Sequence, residues 1–154
     1  MGKIKYLVID VDGTLTNGMI YIGNSGELFK GFYVKDGLGI KKIMECGIEP
    51  IILTSRESEI VVQRCREIGI SCIYQGFHDK KKKLEEIMQE RGIISENLAY
   101  MADDINDLEA IKLAFLRACP SDAAFEIRNA CNFVSHYGGG HGAVRELCDY
   151  LCDA

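Results

Sequence analysis

The stretch that most narrows what this chain can become is Lys5-Tyr6-Leu7-Val8-Ile9-Asp10-Val11-Asp12-Gly13-Thr14-Leu15-Thr16. An apolar run of aliphatic and β-branched residues that stops abruptly at two carboxylates and a glycine reads as a buried parallel strand delivering Asp10 and Asp12 to a crevice. Residues two apart on a strand share a face. Two anions held that close repel each other, so the arrangement is costly unless a cation sits between them or one is protonated. The competing reading is a strand followed by a polar turn, with Asp12-Gly13 as its turn residues. Taken alone, the phrase Asp-x-Asp-Gly does not separate the two.

A chain of 154 residues is expected to form one domain, 1–154, large enough to bury a sizeable core. With 47% hydrophobic and 27% charged residues and only two prolines, it has little room for disorder. A formal charge of −5 argues against a nucleic-acid surface, and an anionic substrate would need locally placed cations. No run approaches the length of a membrane span, and the first apolar run ends at Asp10, too early for a secretory leader. The expected location is therefore a reducing cytoplasm. The seven cysteines, without any Cys-x-x-Cys pair, are expected to act as small buried hydrophobes and not as disulfides or metal ligands.

Behind the first strand, residues 17–33 read as a hairpin of two short strands around Asn24-Ser25-Gly26. Its Met19, Ile20, Tyr21, Phe29 and Phe32 are too apolar for a free flap, and a lone two-stranded ribbon is marginal in water, so it should pack on something, such as another subunit. Asp36 is expected to cap a helix that ends at Gly47. A strand at 49–54 follows, then a helix from Ser58 to Ile68, a strand at 71–74, and a helix running from Lys80 to Arg91. Strands at 98–102 and 114–118, a helix reaching Ala130, and an edge strand at 132–134 complete the alternation. This is the rhythm of a doubly wound, Rossmann-like α/β fold: a parallel sheet with helices on both faces and a hairpin inserted after the first strand. Residues 138–154 form a glycine-rich tail, Gly138 to Gly142, and a final helix. The glycines read either as a flexible joint or as a helix start offering backbone amides and Arg145 to an anion.

In a parallel sheet the strand ends converge on one edge, here bringing together Asp10, Asp12, Thr54, Lys80, Asp103 and Asp107. Lys80 differs from Lys81 to Lys83, which read as a solvated helix face, because it occupies the first turn behind a strand end, where an anion is favoured. Hard oxygen donors with one lysine suit Mg²⁺ better than Zn²⁺. Carboxylates, Mg²⁺, a lysine and a hydroxyl describe a phosphoryl-transfer site.

Asp10-Val11-Asp12-Gly13-Thr14-Leu15-Thr16, Thr54-Ser55-Arg56, Lys80 and Asp103-Asp104-Ile105-Asn106-Asp107 resemble, in order, the motifs of the haloacid dehalogenase superfamily of aspartate-nucleophile phosphotransferases. The resemblance implies that Asp10 is the nucleophile and Asp12 the acid and base. It implies that Asp10, Asp103 and the main-chain carbonyl of Asp12 hold Mg²⁺. Thr54 and Lys80 would bind the phosphoryl oxygens, and Asp104 and Asp107 would support the metal and Lys80 from behind. The acid/base Asp12 favours phosphate chemistry over dehalogenation.

The missing cap domain, the hairpin, Gln75-Gly76 and the terminal Gly139-Gly140-His141-Gly142-Ala143-Val144-Arg145-Glu146 narrow the resemblance to the 3-deoxy-D-manno-octulosonate 8-phosphate (KDO 8-phosphate) phosphatase family. That family's hairpins assemble a homotetramer in which a neighbouring subunit caps each site, and Ser55, Arg56 and Arg145 become candidate contacts to a sugar-acid phosphate. Two departures are Ala102 before the double aspartate and Ser55 in the usual Thr-Gly-Arg. Relatives acting on nonulosonate (sialic-acid type) 9-phosphates are the alternative, some with Glu in place of Arg56; a noncatalytic assembly module is the alternative of another class.

Overall fold

The apolar run is a strand at the centre of the sheet. The computed structural model describes residues 3–154. In chain order the elements are β1 (Tyr6–Ile9), the hairpin strands β2 (Tyr21–Gly23) and β3 (Gly26–Phe29), α1 (Val34–Glu45), β4 (Glu49–Thr54) and α2 (Glu59–Ile68). Then come β5 (Cys72–Gln75), α3 (Lys80–Arg91), β6 (Leu98–Met101), α4 (Leu108–Ile111), β7 (Leu116–Cys119), α5 (Phe125–Ala130), β8 (Phe133–Val134) and α6 (Ala143–Asp153). The main sheet runs β5-β4-β1-β6-β7-β8, parallel throughout, while β2 and β3 pair only with each other. Counted among the parallel strands alone this is the doubly wound order, with the winding reversing between β1 and β6.

Alternation along the strands explains why both faces are covered. Leu7 and Ile9 of β1 join a cluster with Ile40 and Ile43 of α1, Val61 of α2 and Leu147 of α6. Val8, between them, points to the opposite cluster with Leu84 and Ile87 of α3, Ile111 of α4 and Ile127 of α5. No helix among the described residues is long and apolar enough to cross a membrane. Lys81 and Lys82 are exposed as expected, but Lys83 is half-buried, its ammonium 4.7 Å from the Phe77 ring centroid and 5.1 Å from that of Tyr74.

Two expectations change. Asp36 does not cap α1, which starts two residues earlier behind Tyr33; it is a buried first-turn residue. There its Oδ1 accepts the Arg145 amide at the start of α6 (3.0 Å) and its Oδ2 has no partner. The cysteines are not all thiols either: Cys46 and Cys152 are joined as a disulfide, their Cα atoms 6.0 Å apart across 106 residues of sequence. Both changes share one cause, the side-by-side packing of α1 and α6 in the same direction. Asp36 meets Arg145 at the first ends, Lys42 Nζ reaches Asp149 (2.9 Å) between, and the cysteines meet at the last ends.

Burial pushes the Asp36 carboxyl up from 3.8 to about 6, against the Arg145 amide and the charges of His141, Arg145 and Arg64. A raised folded value means that the carboxyl's contribution is fully present below the unfolded value and is lost as pH rises through about 6. Asp36→Asn, which keeps the acceptor and removes the charge, is therefore expected to be neutral at pH 4 and stabilising by about 2 kcal/mol at pH 8. Urea unfolding at the two pH values measures it, and an equal effect at both would contradict the assignment.

Candidate functional site

The switch between β1 and β6 is where two strand ends can open a crevice, and both end in aspartates. β1 stops at Ile9; the Asp10 amide still donates to Met101 of β6 (3.0 Å) before the chains diverge. Beyond β6, Ala102 is buried and Asp103 turns into the same opening, while β4 brings Thr54 from the other side. The cleft between these ends has a volume of about 370 Å³, and Asp12, Ser55, Arg56, Asp104 and Asn106 line its rim.

Lys80, the first residue of α3, extends under the cleft and is only 1% exposed. Its ammonium donates to Asp10 Oδ1 (2.8 Å) and to both oxygens of Asp107 (2.9 and 3.0 Å). Burial opposes the charge on Lys80, but Asp10 and Asp107 outweigh it and hold the lysine above its usual range. Asp107 is completely buried, takes a second donor from the Tyr100 hydroxyl, and is pushed up to about 7 by burial and by Asp10.

Among the described residues Asp103 has no such cation. Burial and the adjacent Asp10 carboxylate, close enough to hydrogen-bond, push it up to about 8. That conflict is what a divalent cation between the two carboxylates would remove. Among the described residues no three His, Cys, Asp or Glu side chains gather into a ready-made cage. The two carboxylates would need main-chain oxygen and water to complete a shell, a donor set that fits Mg²⁺.

Asp12 is half-buried on the other wall. Lys30, just after β3, donates to its Oδ1 (2.6 Å), and Arg56 Nε lies 3.8 Å from its Oδ2. The loop between them is built around Gly13, at φ +89, where a Cβ would lie 1.8 Å from Asp103 Oδ2. Its amide and that of Gly18 both donate to Thr16 Oγ1 (3.2 Å each).

No family model matches the chain. It is 39% identical over 149 residues to the 3-deoxy-D-manno-octulosonate 8-phosphate phosphatase KdsC of Salmonella typhi, covering 97% of this chain and 79% of that protein. The cobalt-bound deoxy-D-mannose-octulosonate 8-phosphate phosphatase of Haemophilus influenzae superposes with a TM-score of 0.94 at 35% identity, over 99% of this chain and 89% of that one. The Moraxella catarrhalis phosphatase, in complex with a magnesium ion, a phosphate ion and KDO, does so with a TM-score of 0.94 at 36% identity, over 99% and 87%. The chain belongs to the 3-deoxy-D-manno-octulosonate 8-phosphate phosphatase family.

In this phosphatase family member, a phosphoric monoester hydrolase of the haloacid dehalogenase superfamily, the motif residues Asp10, Asp12, Thr54, Lys80, Asp103 and Asp107 do come together. Ser55 and Arg56 line the cleft too, although the Ser55 hydroxyl is used on the Phe77 carbonyl (3.2 Å). Asp104 lines the cleft but does not reach Lys80 as expected: it is exposed and caps the turn after it through the Ile105 amide (2.7 Å), so of the two only Asp107 holds Lys80.

Arg145 is not brought to the cleft. Its guanidinium bonds Asp149 (2.9 Å), and its own amide at the start of α6 already serves Asp36 rather than a ligand. Nor are the tail glycines a loose joint. A Cβ on Gly139 would lie 1.9 Å from the Gly13 carbonyl, so the tail is a wedge pressed onto the loop that carries Asp12.

Lys30, Glu27 and Tyr100 escaped sequence reading. For Tyr100 a signal existed, since a phenol inside a core strand must find a partner. For Lys30 the only signal was a lone cation ending an apolar hairpin strand.

Gly13→Ala is expected to fold yet displace the Asp103 carboxylate, raising the divalent-metal concentration for half-activity at least about tenfold, as loss of a metal's supporting contacts does. A metal titration of activity measures this, and an unchanged titration would contradict the close packing described here.

Proposed function

We propose that this chain is a cytoplasmic, Mg²⁺-dependent phosphatase that hydrolyses 3-deoxy-D-manno-octulosonate 8-phosphate through an aspartyl phosphate on Asp10. The observation that carries the reading is the Asp10–Asp103 carboxylate pair at the switch point, with Lys80 fixed on one oxygen of Asp10. Asp10 would attack phosphorus while Thr54 and Lys80 hold the phosphoryl oxygens. Asp12, on the opposite wall, would give its proton to the departing sugar oxygen and then take one from the water that cleaves the aspartyl phosphate. Mg²⁺, held by Asp10, Asp103 and the Asp12 carbonyl, would neutralise charge on the phosphoryl group. Arg56 at the rim is a bidentate partner for the sugar's carboxylate, and the relative crystallised with KDO supports that class of substrate.

The exposed Met19, Ile22, Leu28 and Phe29 of the hairpin support assembly into a tetramer whose subunits cap one another's sites. Light scattering is expected to report four subunits for the native protein and fewer for Phe29→Asp. In a cytoplasm kept reducing, Cys46 and Cys152 would stand as two thiols.

The test is phosphate release with Mg²⁺ from a panel of octulosonate 8-phosphate, nonulosonate 9-phosphates and hexose phosphates. Preference for the octulosonate, lost with EDTA, is the expected result. Preference for a nonulosonate would change the substrate and keep the chemistry, whereas no release from folded, Mg²⁺-binding protein would leave the assembly-module reading.

A further inference from the structure

The hairpin sends one charged side chain into the site. Lys30 leaves the end of β3 and its side chain is only 3% exposed, sealed between Asp12 Oδ1 (2.6 Å) and Glu27 Oε1 (2.9 Å). Glu27 is itself anchored, its other oxygen accepting the Ser58 hydroxyl (2.7 Å) just before α2. A chain of contacts thus runs from the wall of the main domain through the hairpin to one oxygen of Asp12. The other oxygen, Oδ2, is left toward the cleft, where Arg56 stands 3.8 Å away.

We propose that Lys30 is a positioning residue for leaving-group protonation: by occupying Asp12 Oδ1 it fixes the carboxyl so that Oδ2 is the oxygen that exchanges a proton with the substrate. The inference rests on the phosphatase reading above. Lys30 does not bind the phosphate itself, because both its reach and its surface are used by Asp12 and Glu27. A carboxyl at a strand end can rotate about its own axis, and proton transfer needs one oxygen within hydrogen-bond reach of the departing atom. A buried ammonium held by a second, anchored carboxylate removes that freedom. The hairpin then has a role inside its own subunit's chemistry in addition to any assembly role.

Leaving-group dependence separates this from a structural strut. The alkoxide of an alkyl phosphate such as the sugar phosphate cannot leave without a proton, whereas the nitrophenolate of p-nitrophenyl phosphate can. In Lys30→Met, kcat/KM for the best alkyl phosphate of the panel is expected to fall about 100-fold, the low end of what general acid catalysis contributes. The value for p-nitrophenyl phosphate is expected to fall less than about fivefold, since kcat/KM ends at the first phosphoryl transfer and omits the later hydrolysis. Lys30→Arg, which can still bridge the two carboxylates, should restore most of the alkyl activity. Glu27→Gln, which leaves the lysine in place but frees it, should show the same selective loss more weakly, and it serves if Lys30→Met does not fold.

Equal losses on both esters, or full activity on both in Lys30→Met, would overturn the positioning role while leaving the phosphatase reading intact. Release from neither ester by the unsubstituted protein would overturn the phosphatase reading, and this inference with it.

Discussion

Asp10→Asn is expected to abolish phosphate release, by on the order of 10⁴-fold or more, without unfolding the protein. The substitution is isosteric, and the amide oxygen can still accept from Lys80, so the bond at 2.8 Å has a replacement. On the proposed mechanism, what would disappear is the negative oxygen that attacks phosphorus, with no other carboxylate placed to substitute for it. Asp12 is turned toward Lys30 and Arg56, and Asp103 is buried against Asp10 itself.

The same substitution carries a second, opposite effect. With the charge of Asp10 gone, the largest cause after burial that pushes Asp103 up to about 8 is removed. The metal-free variant should therefore be at least as stable as the native chain at pH 8, a gain that a bound divalent cation would erase. Thermal unfolding with and without metal, beside the phosphate assay, reads both effects. More than about 1% residual turnover would remove Asp10 from the nucleophile's role.

Lys80→Met has the largest expected effect on stability. It removes the one cation between Asp10, 4% exposed, and Asp107, 0% exposed, and leaves two carboxylates buried without a counter-charge. Breaking such a buried pair costs about 3–5 kcal/mol. The loss should be greatest at high pH and shrink toward pH 5. Without the lysine, which holds it down, the folded Asp107 carboxyl titrates higher still, and a raised folded value means that stability falls as pH rises through it. Adding Asp107→Asn to Lys80→Met should recover part of the loss. Urea unfolding at both pH values measures each variant, and a cost under about 1 kcal/mol at pH 8 would mean that the triad is hydrated rather than buried. Lys81, exposed and 3.9 Å from Glu85, supplies the contrast: its replacement by Met should change stability by no more than about 0.5 kcal/mol.

These expectations draw unequally on sequence and structure. The strand at Tyr6–Ile9, the helix over Glu59–Ile68 closed by Gly69, and α3 from Lys80 to Arg91 were legible from apolar runs, caps and glycines. Each such signal lies within a few residues of what it specifies. The motif aspartates, Thr54 and Lys80 were legible for a related reason: parallel strands must end on one edge, so residues just beyond those ends must meet.

Contacts between distant segments were not legible. Asp36 looks like a helix cap until α6 is laid beside α1, when it becomes a buried acceptor for the Arg145 amide. Arg145 itself looks like an anion ligand until Asp149 claims it. Cys46 and Cys152 are unremarkable in spacing, and only the parallel packing of α1 and α6 brings their Cα atoms to 6.0 Å. Lys30 gains its partner only when the hairpin folds back onto Asp12, and Gly139 reads as a joint until it meets the Gly13 carbonyl.

Sequence alone determined which groups line the carboxyl edge, because backbone periodicity and chain direction are local properties. The tertiary structure decided which partner each group has. A side chain's partner is set by the element packed over it, and in α1 and α6 that element lies 109 residues away.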